Sequence, residues 1–195
     1  LAARMLNATS PFGAEFDSMA DLVSFGVAPA FLMLNTVMYL SDLNRYSIEF
    51  WILATSVSIF VLAGALRLAR YNLTSDKPMK GWFSGIPITA AGAGLTATAA
   101  LLLLRYEAYL SVEQINLYVP IFMLVMTIGM VSTFKFPKMM KRDGFYINLF
   151  QATNFIVSCY CAITRSYPEF LFFMGMFLLV AGTIAGRYAS HESQN

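Results

Sequence analysis

Asp17 and Asp21 stand four residues apart at the head of a long apolar segment. On a helix that spacing puts both carboxylates on one face. An ionised carboxylate deep in hydrocarbon costs about 3 kcal/mol on insertion scales, so such residues usually face a cavity, a partner charge or an ion. Two like charges one turn apart also repel. A divalent cation relieves both costs, and magnesium commonly takes a few carboxylates and completes its octahedron with water and substrate phosphates. Arg4 lies on the same side and carries the planar fork that grips a phosphate through two hydrogen bonds. Ala3, Gly13, Ala14 and Ala20 leave the backbone open to a flat base or a pyrophosphate. The same spacing also admits a plainer reading, in which the pair is solvated at the water interface or paired with Arg4.

The remaining inventory narrows the chemistry. The single histidine, His191, sits in the polar stretch HESQN, so a His-based triad or zinc centre is excluded. Cys159 and Cys161 lie two apart in an apolar run, where they point to different sides of a helix. That favours packing over a disulfide or a metal pair.

These residues must be positioned by membrane helices. The 195-residue chain is 58% hydrophobic and only 12% charged, where a soluble domain carries roughly a quarter charged residues. At about 20 apolar residues per crossing, six spans are expected, near 17–40, 50–72, 87–104, 115–133, 146–163 and 168–187. The expected fold is an all-α, polytopic helical bundle forming one membrane domain over 1–195, with a polar tail at 188–195. Short polar connections, including TSDKPMKGWFSG and FKFPKMMKRDG, separate the spans.

Basic residues orient the bundle, because cytoplasmic loops are enriched in Lys and Arg. One side holds ten of them, Arg4, Arg67, Arg70, Lys77, Lys80, Lys135, Lys138, Lys141, Arg142 and Arg187. The other holds three, Arg45, Arg105 and Arg165. Asp17 and Asp21 therefore belong at the cytoplasmic mouth, with Lys138, Lys141 and Arg142 near anionic lipid head groups. Nucleic acid is not an expected partner.

Ala3-Arg4, eight residues, Gly13, three residues, Asp17, three residues and Asp21 match the second half of a known signature. The sequence resembles the CDP-alcohol phosphatidyltransferase family, whose signature reads D-x-x-D-G-x-x-A-R-x8-G-x3-D-x3-D. The chain opens on Leu1, two residues before that Ala-Arg, so the first half of the signature would lie upstream. This implies a fragment of a protein with about eight helices, inactive by itself. The resemblance implies that Asp17 and Asp21 bind divalent cations, Mg2+ or Mn2+, against a CDP-alcohol pyrophosphate. It implies further that Asp21 is the general base and that Ala3, Arg4 and Gly13 border the CDP-lipid.

Three further stretches, FGAEFDSMADLVSFGVAPA (12–30), ALRLARYN (65–72) and WFSGIPITAAG (82–92), resemble the bacterial phosphatidylserine synthase branch. That branch implies CDP-diacylglycerol and L-serine as substrates, membrane lipids as surroundings, a homodimer, and a bacterial inner-membrane location with the site facing the cytoplasm. Ser24, three residues past Asp21, then faces a small polar acceptor, and Pro29 kinks the helix beneath the site. Arg67 and Arg70 share a helix face and either bind an anion or snorkel to head groups. Another acceptor, such as glycerol phosphate, would leave the chemistry unchanged. A small transporter is the alternative from a different class, but no acidic or histidine relay continues from the pair across the membrane.

Overall fold

The structure, a computed structural model, describes residues 11–74, 82–137, 145–164 and 166–192. Its first helix, α1 (Pro11–Asp21), opens on a proline, whose fixed φ suits a first helical position. It passes without a break into a wider, π-helical segment, Leu22–Val27, and continues as α2 (Ala28–Ser41). The chain leaves α2 through Asp42 in the left-handed conformation, φ 45°, which a short polar side chain tolerates. Ser47 then accepts a hydrogen bond from the Phe50 amide, 3.2 Å, ahead of α3 (Ile48–Thr74).

Strand β1 (Trp82–Ser84) follows, then a second π-helical segment, Ala90–Ala97, which runs into α4 (Thr98–Arg105). A short turn at Glu107–Tyr109 leads to α5 (Val112–Val131). Ser111 starts α5 with a reciprocal cap: its Oγ accepts from the Gln114 amide (3.3 Å) and its own amide donates to Gln114 Oε1 (3.1 Å). Strand β2 (Lys135–Pro137), α6 (Phe145–Thr164) and α7 (Pro168–Glu192) complete the described chain.

Each expected span coincides with one of these helical rods, so the all-α membrane bundle is the fold. Among the described residues three are long and apolar enough to cross a bilayer, Glu15–Ser41, Ile48–Leu73 and Val112–Val131, and Ala90–Arg105 and Pro168–Ile184 are shorter apolar helices. α7 runs on to Glu192, so the stretch read as a polar tail is helical up to that residue.

Two connections differ from the polar loops expected of them. β1 and β2 pair antiparallel, with Phe83 opposite Phe136, in a small ladder that joins the loop after α3 to the loop after α5. Three-residue aromatic pieces are too short to show a strand period, and only their pairing across more than 50 residues makes them strands.

The core lies where α2, α3, α5 and the 86–100 region meet, and Met33, Leu53, Phe60, Ile88, Leu95 and Met123 are all sealed there. α3 and α5 share the most extensive interface, α7 rests on α4, the second π-helical segment and β2, and α6 touches chiefly α7. Lipid tails are as apolar as leucine, so close packing rather than escape from water holds these helices together. Outward side chains such as Phe31, Trp51, Leu62 and Ile128 are exposed and suit a lipid surround. Cys159 is exposed and Cys161 buried, on different sides of α6.

Candidate active site

The acidic pair occupies the last turn and a half of α1, with Asp17 exposed and Asp21 half-buried. Asp17 and Arg67 both lie within electrostatic reach of Asp21. Gly13 is exposed one turn before Asp17, on the same face by spacing. Ala3 and Arg4 lie outside the described residues, as do Lys77, Lys80, Lys138, Lys141 and Arg142.

Opposite α1 stands the last part of α3. Asn72 docks the two helices: its Nδ2 donates to Ser18 Oγ at 3.1 Å and to Glu15 Oε2 at 3.3 Å. The Ser18 hydroxyl also lies 3.4 Å from Asn72 Oδ1. This junction was not legible in the sequence, because it joins positions 54 and 57 residues apart. The available signal was an asparagine closing the ALRLARYN stretch at the same membrane depth as the acidic pair.

The two arginines of α3 go separate ways, although their spacing puts them near one face. Arg67 is 7% exposed, a buried cation that feels Asp21, Arg70 and Tyr71. A buried charge needs such a partner, since an isolated one is strongly disfavoured. Arg70 instead spreads its guanidinium over backbone carbonyls. Its Nη1 donates to Val131 O (2.8 Å), and its Nη2 reaches Ser132 O (3.1 Å), Ser84 O (3.2 Å) and Met130 O (3.5 Å). It thereby satisfies orphan carbonyls at the end of α5 and ties them to β1.

Gly85 completes this clasp. Its amide donates to Phe134 O (2.8 Å), and the Ile86 amide donates to Gly129 O (3.0 Å). The φ of +75° at Gly85 is a conformation that residues with a Cβ rarely adopt.

Ser24 is exposed within the π-helical segment that follows Asp21. Bonding there runs to the fifth residue back rather than the fourth, so an α-helical period does not carry the face of Asp21 onto Ser24. The distortion expected from Pro29 takes the form of this wide turn, and Pro29 itself sits in the first turn of α2.

The family model for CDP-alcohol phosphatidyltransferases matches residues 1–134. The chain belongs to that family. The match takes in α1 to α5 and stops before β2, leaving α6 and α7 outside it. Over 178 residues the chain is 34% identical to the CDP-diacylglycerol–serine O-phosphatidyltransferase of Helicobacter pylori, covering 91% of this chain and 69% of that protein. It is 35% identical over 184 residues to the protein of the same name from Methanocaldococcus jannaschii, covering 93% and 74%. The Bacillus subtilis protein of that name is 34% identical over 146 residues, covering 73% and 68%.

A phosphatidyltransferase of this family acts on lipid, and the long apolar helices make this one an integral membrane protein. The family also implies a divalent cation, and the donor set fits one. Asp17 and Asp21 offer hard oxygen ligands on one face, with solvent access at Asp17. Among the described residues no third acidic, histidine or cysteine side chain joins them in a cluster. A cation bound there would take two carboxylates from the pair, and phosphate oxygens and water are suited to complete its sphere.

Proposed function

We propose that this protein transfers the phosphatidyl group of CDP-diacylglycerol to the hydroxyl of L-serine, giving phosphatidylserine and CMP. The observation that carries the reading is the acidic pair of α1, with the buried Arg67 within electrostatic reach of Asp21, in a chain whose relatives from two bacteria and an archaeon bear the serine-transferase name. Asp17 and Asp21 hold the cation, Mg2+ or Mn2+, and Ala3, Arg4 and Gly13 border the CDP-lipid. Bound there, the cation neutralises pyrophosphate charge and makes CMP a better leaving group.

Asp21 takes the proton of the serine hydroxyl. The serine oxygen attacks the phosphorus that bears the lipid, and the bond from that phosphorus to the bridging oxygen breaks. CMP departs with the electron pair, and the proton passes from Asp21 to solvent. Arg67 supplies positive charge on the acceptor side, where serine brings a carboxylate. Ser24 offers a hydroxyl at the rim, and Arg70 shapes the same wall by holding the end of α5 against β1.

The mouth that carries these groups faces the cytoplasm of a bacterial inner membrane, in keeping with the bias of basic residues toward that side. The acyl chains stay in the bilayer while the head group reaches the polar mouth. The protein works as one membrane domain and pairs as a homodimer.

Acceptor competition tests the substrate assignment. With full-length protein in membranes, L-serine should yield phosphatidylserine, and glycerol 3-phosphate should yield no lipid product. Phosphatidylglycerol phosphate appearing in place of phosphatidylserine would contradict the serine assignment and keep the family chemistry.

A further inference from the structure

Asp21 is the last residue of α1 before the wide segment Leu22–Val27, so its placement depends on how that segment is held. Pro29 has no N–H to offer the Phe25 carbonyl four residues back, and its ring crowds that carbonyl. The helix widens there, and the Ala28 amide reaches Val23 O, five residues back. The widened segment then meets the second π-helical segment at Gly92, which is buried. A Cβ built on Gly92 would overlap the Phe25 carbonyl oxygen and lie 2.7 Å from its carbon and 3.2 Å from its Cα. These are backbone atoms, so no rotamer change relieves the clash.

The second segment is poorly placed to yield. Ala91 and Leu95 are fully buried, and Thr96 Oγ1 donates to Ala91 O at 2.8 Å. Thr98 Oγ1 closes the next carbonyls, donating to Gly94 O (2.7 Å) and Leu95 O (3.1 Å). The opposing segment has exposed residues at Val23, Ser24 and Val27, so displacement falls on that side, next to Asp21. Gly94, two residues on, supplies a natural control, since among the described residues a Cβ there would meet only Thr89 O, at 3.8 Å.

We infer that Gly92 is a positioning residue for Asp21, seating the wide turn that aims the carboxylate into the mouth. The inference rests on the proposed role of Asp21 as metal ligand and base. Its test uses the full-length protein, comparing Gly92→Ala, Gly94→Ala and Asp21→Asn for turnover, Mn2+ concentration at half-activity and thermal midpoint. A misplacement near 1 Å lowers turnover by about 100-fold, so Gly92→Ala should lose about that much with a raised Mn2+ requirement. Gly94→Ala should keep wild-type turnover and Mn2+ dependence.

Wild-type turnover and Mn2+ dependence in Gly92→Ala, with Asp21→Asn inactive, would overturn the inference alone. A lowered thermal midpoint with an unchanged Mn2+ requirement would overturn it as well, by reducing Gly92 to packing. Wild-type turnover in Asp21→Asn would instead overturn the reading beneath it. Should Gly92→Ala fail to fold, Pro29→Ala serves, since it returns an N–H to the Phe25 carbonyl without adding bulk beside it. It should raise the Mn2+ requirement, and an unchanged one would contradict the inference.

Discussion

Asn at position 21 keeps the shape of Asp21 and removes its charge and basicity. General-base catalysis contributes about 10²- to 10⁴-fold, so Asp21→Asn should lower turnover by at least that range. Asp17→Asn, with no proton role, should mainly raise the divalent-ion concentration at half-activity, a shift that a metal titration reads directly. Arg70→Lys separates geometry from charge. An ammonium cannot span the carbonyls of Ser84, Val131 and Ser132 as the guanidinium fork does. Hydrogen bonds to charged groups are worth about 1.5–3 kcal/mol, so that variant should unfold at a clearly lower temperature in detergent, and an unchanged midpoint would deny the clasp its role. The acidic pair was legible in sequence because its spacing is local. The different fates of Arg67 and Arg70 were not, since one is fixed by burial beside Asp21 and the other by carbonyls some 60 residues away.

Among the elements, hydrophobic run length revealed each of the described helical rods. Periodicity could not show the two π-helical segments, because a count at 3.6 residues per turn reads straight through them. Pro29 was the visible sign, and its consequence was a widened turn next to the site. The ladder of β1 with β2 was equally hidden, since WFS and KFP carry no period of their own. It makes Gly85 a point of strain for any other residue: Gly85→Ala would force a Cβ to 2.6 Å from Met130 O and 2.7 Å from Ser132 O at φ +75°. A left-handed non-glycine residue costs about 1–3 kcal/mol before any clash. The variant should lose at least that much stability, and a thermal midpoint equal to wild type would show that the clasp relaxes freely. At the far side, Tyr106 and Arg105 both reach Glu169 Oε1, at 2.8 and 3.2 Å. Arg105 is half exposed, so water screens that ion pair and it only trims the contact of α4 with α7.

For the molecule as a whole, the proposed orientation puts the carboxylates at one membrane face and Glu169 at the other. Tyr46 and Tyr109 are both highly exposed on the side away from the acidic pair. Cysteines placed there should react with an impermeant maleimide from outside intact cells, and a cysteine at Gly13 should react only after lysis. Reversed labelling would invert the topology. The central claim is chemical, and CMP release from CDP-diacylglycerol by the full-length protein with Mn2+, with and without L-serine, tests it most directly. Release that requires serine and disappears in Asp21→Asn is the expected result. Release that ignores serine, or that persists at the wild-type rate in Asp21→Asn, would contradict it.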